Sequence, residues 1–189
     1  MVARLEDRLE LPLISHRGGN VLWLTGFSGA GKTTLAKAIQ RTLRARGTEC
    51  VVIDGDMVRS ICGDDCGYDV SERKRNARRV ARFAKAIADQ GIVTVVATIS
   101  LYHEIHDWNR ANQPGYFEVL LEEDIATCRR RDAKRVYRPE APGTELNVVG
   151  VDIAAELPRA PHLRLNNSGG QTDMVGFAEQ IVHAVGLAV

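Results

Sequence analysis

Gly26-Phe27-Ser28-Gly29-Ala30-Gly31-Lys32-Thr33 satisfies the pattern G-x-x-x-x-G-K-[ST] at every position, and the reading of the chain turns on it. Its glycines admit backbone conformations closed to other residues, so successive N–H groups can face one anion. The flanks supply the required context. Residues 21–25 are a short apolar run that reads as a strand. Residues 33–46 place Leu35, Ala36, Ala38, Ile39 and Leu43 at helical spacing, and Gly47 is a natural stop. A helix starting at the loop adds partial positive charge where the anion would sit. Gly26, Ser28, Gly29, Ala30, Gly31, Lys32, Thr33 and Thr34 are therefore the expected nucleotide-phosphate residues. Lys32 is expected to reach the β/γ-phosphates, and the Thr33 hydroxyl to ligate Mg²⁺.

Strand and helix patterns alternate through the rest of the chain. Residues 50–53 read as a buried strand ending at Asp54. Ser71 is the expected cap of a helix running to about Gln90, with Ala77, Val80, Ala81, Ala84 and Ile87 on its apolar side. Residues 92–99 are apolar on both faces, as a central parallel strand requires. A helix over 104–111, a strand over 116–121, a helix from Asp124 to Arg131, a strand over 162–165 and a helix over 172–185 complete the series. The alternation predicts an α/β fold of the P-loop NTPase type. It has three layers, with a parallel five-stranded sheet, helices on both faces, and ligands beyond the C-terminal strand ends. Residues 132–160 break the pattern with Pro139, Pro142 and Pro158, Gly143 and Gly150, and little periodicity. They are expected to form a loop-rich lid inserted in a single domain spanning 1–189.

Composition narrows the function. The 189 residues include 25 Lys plus Arg and 24 Asp plus Glu, a net charge of +1, which argues against coating a nucleic acid polymer by bulk charge. No apolar stretch is long enough to span a bilayer, and charged residues fill the N-terminus where a leader would be apolar, so a cytoplasmic protein is expected. Cys62 and Cys66 are four apart, but a zinc knuckle needs a second pair, and no suitable one exists. The chain also lacks the N-K-x-D guanine signature of a switch GTPase, and it is short for a motor ATPase. A small-molecule kinase whose lid keeps water from the phosphoryl group fits better.

A second cluster points the same way. Asp54-Gly55-Asp56 stands at a strand end, with Arg59 one turn on. Two carboxylates beside a phosphate loop can organise Mg²⁺ and orient an acceptor hydroxyl. Lys32, Asp56 and Asp54 are the candidate catalytic residues. Asp56 is the expected hydroxyl-orienting group and Thr33 with Asp54 the expected metal side, although the two Asp roles are interchangeable on sequence alone. Arg73 and Asn76 share a helix face near this turn and suit a substrate anion. One of Arg129, Arg130 and Arg131 is placed to meet the transferring phosphate or stack on the ATP base. His103 and His106 read as a surface or half-buried pair, Trp23 as packing behind the first strand, and Trp108 as core or site border.

These residues resemble the adenylylsulfate (APS) kinase family, P-loop enzymes that phosphorylate the 3′-hydroxyl of adenosine 5′-phosphosulfate. The similar segments are W-L-T-G-F-S-G-A-G-K-T-T-L-A (23–36), I-D-G-D-M-V-R (53–59), C-G-Y (66–68), S-E-R-K-R-N-A-R-R-V (71–80), T-I-S-L-Y (98–102) and R-D-A-K-R-V-Y (131–137). The resemblance implies ATP and Mg²⁺ at the loop and a nucleotide-like acceptor against Asp56, Arg59, Tyr68, Arg73, Asn76 and Ser100. Tyr68 stands where the family has a base-stacking Phe. Lys134 matches a lid lysine, Arg131 the Arg beside ATP, and a homodimer is in keeping with the family.

The 132–160 segment departs from the family. Arg138-Pro139-Glu140-Ala141 replaces a Lys-Lys-Ala-Arg stretch. Residues 145–152, Glu-Leu-Asn-Val-Val-Gly-Val-Asp, replace a Lys followed by Phe-Thr-Gly-Ile. A second base-stacking aromatic and a basic residue are thus absent. W-N-R at 108–110 resembles instead a branch that phosphorylates cytidine diphosphoramidate, and a Val-lined wall with one aromatic suits a smaller pyrimidine. APS, a CDP-linked acceptor and a third nucleotide-like acceptor stay open. So does a different class, a nucleotide-binding regulator without turnover, although the retained Lys32, Asp54, Asp56 and Asn76 favour an active enzyme.

Overall fold

Five strands, β1 (Val21–Thr25), β2 (Cys50–Asp54), β3 (Val93–Ala97), β4 (Phe117–Glu122) and β5 (Leu163–Asn166), form one parallel sheet in the order β2-β3-β1-β4-β5. This computed structural model describes residues 19–63, 67–132, 135–138, 147–168 and 173–187. His16, Cys66 and Lys134 lie outside them. The connecting helices are α1 (Lys32–Ala45), α2 (Gly55–Cys62), α3 (Val70–Ala88), α4 (His103–Asn112), α5 (Ile125–Arg131) and α6 (Met174–Ala184).

The period-2 geometry of β1 explains the layers. Leu22 and Leu24 point into a core with Leu35 and Ile39 of α1 and Ile181 of α6. Val21 and Trp23 point the other way, into a core with Val80 and Ala84 of α3 and Ile105 of α4. All five β1 residues are buried, as a strand covered on both faces must be. Complete burial of each large apolar side chain contributes roughly 1.5–3 kcal/mol. Trp23 is 0% exposed and packs behind the first strand as expected, in the second core, while Trp108 packs half-buried against the same core.

Most boundaries fall within one or two residues of expectation, the usual spread at element ends. Gly47 stops α1 with φ 75°. Its N–H bonds Arg44 O, and the Thr48 N–H bonds Leu43 O, the double closure that a left-handed glycine permits. Three expectations are corrected. Ser71 does not cap α3; Asp69 does, its carboxylate accepting the Glu72 N–H at 2.9 Å while Ser71 donates to the same oxygen. A carboxylate is the better partner for a helix N-terminus. The turn after β2 is also a full helix, α2, with Asp54 as its N-cap. Asp54 thereby belongs to strand, cap and site together. β3 is shorter than the apolar run suggested: Ile92 is more than a third exposed, and the chain leaves the ladder after the Thr98 N–H bonds Leu24 O at 3.1 Å.

Topology then fixes where a ligand can lie. The chain leaves β1 toward β2 and leaves the adjacent β4 toward β5, in opposite directions, which opens a crevice at their C-terminal ends. Among the described residues no helix is long and apolar enough to cross a membrane.

Candidate active site

The crevice is a cleft of roughly 320 Å³. The loop between β1 and α1 forms one wall. Gly29 and Gly31 have φ of 80° and 101°, in the region that disfavours side chains. A Cβ at Gly29 would also lie 3.0 Å from Cys128 O, and one at Gly31 would lie 2.7 Å from the Met174 methyl. Side chains at these two positions would collide with the chain packed against the loop, so glycines let it turn tightly there. The Lys32 ammonium is folded into it, donating to the carbonyls of Gly26 at 2.9 Å and Phe27 at 2.8 Å.

Asp54 links this loop to the opposite wall. One oxygen accepts the Thr33 hydroxyl at 2.8 Å, and the other accepts the Asp56 N–H at 2.9 Å. Thr33 and Asp54 thus present two oxygen groups side by side at the loop. Among the described residues, no cluster of three or more His, Cys, Asp or Glu is built to hold a metal. That donor set fits Mg²⁺, which takes one or two protein oxygens and completes its shell with phosphates and water.

The facing wall comes from α2, α3 and the β3–α4 turn. Asp56, Arg59, Tyr68, Arg73, Asn76 and Ser100 all line the cleft. Tyr68 is 56% exposed, with the Arg59 guanidinium 4.3 Å and the Arg73 guanidinium 5.3 Å from its ring centroid. Arg59 also donates to Gly67 O, and Arg73 donates to Tyr68 O at 2.7 Å and Asn147 O at 2.6 Å. Burial pushes the Arg73 pKa down, partly offset by Tyr102. Ser100, with φ 29°, bonds the Thr98 hydroxyl at 2.8 Å. That uncommon backbone conformation (φ > 0 without glycine) turns the chain from β3 into the site.

Arg131 reaches the cleft from α5, its guanidinium 2.9 Å from the fully buried carboxylate of Glu123. Every expected site residue among the described ones is placed at this cleft except Gly26 and Ala30, which serve the loop from behind. Lys134 lies outside the described residues. Sequence reasoning assigned no role to Tyr102, Asp132 and Val136, which also line it. The Tyr102 hydroxyl is buried without a hydrogen-bond partner among the described residues, and burial raises its pKa. Only its place two residues after Ser100 signalled it. Val148 and Val149 form the expected Val-lined wall.

Neither histidine is a site group, but only half-buried His103 matches the expected surface or half-buried pair; His106 is 3% exposed because Glu118 gives it a buried partner. His106 is buried against Glu118 at 2.6 Å, and His103 bonds Leu157 O at 3.0 Å. Neither lines the cleft. Cys62 remains half-buried as a free thiol.

A five-stranded parallel sheet, a glycine loop holding an inward lysine, and a strand-end Asp tied to the loop threonine define a P-loop kinase. An adenylylsulphate kinase family model matches residues 18–166. The chain belongs to the adenylylsulphate kinase family. It is 34% identical to the adenylyl-sulfate kinase of Aeromonas hydrophila, over 99% of this chain and 91% of that one. It is 39% identical to the cytidine diphosphoramidate kinase of Campylobacter jejuni, over 78% and 86%. Among solved structures, the Mycobacterium tuberculosis APS kinase CysC in complex with AMPPNP and APS superposes with a TM-score of 0.81. Its identity is 28%, over 90% of this chain and 99% of that one.

Proposed function

We propose that this chain transfers the γ-phosphoryl group of ATP to the 3′-hydroxyl of adenosine 5′-phosphosulfate. The observation that carries the reading is the single cleft that joins the loop of Lys32 to the wall of Asp56, Arg59, Arg73 and Asn76 through Asp54. ATP occupies the loop side, its phosphates in the hollow over Gly29–Lys32 and its base beside Arg131. Thr33 and Asp54 hold Mg²⁺, which when bound neutralises charge on the β- and γ-phosphates. The acceptor lies on the α2–α3 side. Tyr68 stacks on its base, and Arg59, Arg73, Asn76 and Ser100 hold its anionic and sugar groups.

The two carboxylates divide the work by their partners. Both Asp54 oxygens are committed, to Thr33 and to the α2 N-terminus, so Asp54 serves the metal side. Asp56, in the first turn of α2, accepts the acceptor hydroxyl proton as the oxygen attacks phosphorus and the ADP oxygen leaves. Lys32 turns from the loop carbonyls to the phosphates and stabilises that leaving charge. Asp132, Val136, Val148 and Val149 line the cleft beside the reacting groups, and the two adjacent valines keep water out.

A CDP-linked acceptor is the second reading, favoured by the Campylobacter relative and by the valines where the APS kinase pattern has an aromatic. ADP release from Mg²⁺-ATP, measured with APS, with a cytidine diphosphate ester and with no acceptor, tests both. The first reading expects the largest stimulation by APS. Larger stimulation by the cytidine compound transfers the assignment to the second, and none by either supports a nucleotide-binding regulator.

A further inference from the structure

Five carbonyls of the phosphate loop have hydrogen-bond partners. The carbonyls of Gly26 and Phe27 accept from Lys32, and the Gly31 carbonyl accepts the Leu35 N–H at 2.9 Å. The other two partners come from distant chain. The Tyr137 hydroxyl donates to Ser28 O at 2.9 Å, and the Asn167 side-chain amide donates to Ala30 O at 2.8 Å. Neither residue is among those assigned a role above.

A trans peptide is planar and sets its C=O and the following N–H on opposite sides. A donor that fixes the Ser28 carbonyl on the outside therefore fixes the Gly29 N–H on the inside. Holding the Ala30 carbonyl fixes the Gly31 N–H in the same way. Gly29 and Gly31 both line the cleft. Without a Cβ, Gly29 and Gly31 do little to hold their own backbone, so partners outside the loop are needed to keep these two peptides aligned.

We propose that Tyr137 and Asn167 are positioning residues that lock the Ser28–Gly29 and Ala30–Gly31 peptides with their N–H groups aimed at the nucleotide phosphates. Both are well placed to do so. Tyr137 is 9% and Asn167 4% exposed. Burial pushes the Tyr137 hydroxyl up to about 12, so it stays a donor throughout the neutral range. The Asp132 carboxylate accepts the N–H groups of Val136 at 2.7 Å and Tyr137 at 3.2 Å, and so holds the tyrosine's backbone. Phe27 packs on Gly150, where a Cβ would approach the ring to 2.5 Å. Tyr137 and Gly150 thus hold the loop at Ser28 and Phe27. Alignment supplied before the nucleotide arrives costs nothing at the moment of reaction.

The inference rests on ATP occupying this loop, and its test separates the two claims. ATP-induced thermal stabilisation with Mg²⁺, and the KM values for ATP and for acceptor, are compared between the wild-type chain and Tyr137→Phe. The expected result is a smaller ATP-induced shift and an ATP KM raised about three- to tenfold, the worth of one ordinary hydrogen bond. The acceptor KM is expected to change less than twofold. Asn167→Ala should show the same split, and Tyr137→Phe carries the test if Asn167→Ala fails to fold. Equal ATP responses in wild type and Tyr137→Phe overturn the proposal. So do equal losses toward ATP and acceptor, the mark of general loosening. A wild-type chain that does not respond to ATP overturns the nucleotide-site reading itself.

Discussion

Asp54 and Asp56 stand two residues apart, and the backbone between them turns from strand to helix. That turn explains why two similar side chains are given different work: Asp54 is spent on the loop and the cap, and Asp56 is presented from the first turn of α2. On this account Asp56→Asn lowers kcat by about a hundredfold or more, in the range of lost general-base assistance. It leaves ATP affinity nearly unchanged by equilibrium titration. Comparable losses in both would make Asp56 a metal-side residue. Tyr68→Ala is expected to raise the acceptor KM about tenfold, as loss of one base-stacking face does, with ATP KM unaffected in the same initial-rate assay. An unchanged acceptor KM would remove Tyr68 from the base site. These residues were legible because a motif fixes their chemistry. Tyr102 and Asp132 were not, because an aromatic after a strand and an acid after a helix have many ordinary uses.

At the scale of elements, α4 and β4 are joined by charge. Glu118, fully buried on β4, accepts from His106 at 2.6 Å, Tyr116 at 2.8 Å and Arg110 at 2.7 Å. Burial pushes its pKa up, but the bonds from His106 and Tyr116 and the Arg110 charge outweigh burial and hold it below its usual value. A carboxylate with a depressed folded pKa adds stability that is present above its unfolded pKa, about 4.3, and lost as pH falls through the folded value. Thermal melts from pH 6 to pH 3 are expected to show that loss in the wild type. Glu118→Gln is expected to be less stable at pH 6 and to have a shallower pH dependence, and parallel curves would contradict the assignment. Its neighbour His162, which accepts the Glu118 N–H at 2.9 Å, has its pKa lowered by burial. Its contribution is full above pH 6.5 and declines as pH falls below that. None of this network was legible beforehand, because the sequence displays one His and one Glu twelve residues apart with no sign that they meet. β1, α1 and β3 were legible because their apolar spacing is set by burial. α2 was missed because glycine and an acid open it, and those residues also make turns.

The whole molecule reconciles a neutral total with an anion site. The net charge is +1, yet the loop, Arg59, Arg73 and Arg131 converge on one cleft. That convergence is a product of topology. The loop follows β1, α2 follows β2, the Ser100 turn follows β3 and α5 follows β4, and the parallel sheet brings all four strand ends to the same edge. Alternating patterns made this edge legible in outline. The 132–160 segment was legible only as an interruption, since its contacts with Ser28, Phe27 and Arg73 depend on distant chain that no local period encodes. The central claim is that this edge joins ATP to the 3′-hydroxyl of an adenylylsulfate acceptor. Phosphorus NMR of Mg²⁺-ATP and APS incubated with the protein tests it most directly. The account predicts one new phosphomonoester resonance coupled to the ribose H3′, growing in step with ADP. ADP appearing with inorganic phosphate and no new ester, or an ester formed only when a cytidine acceptor replaces APS, would contradict it.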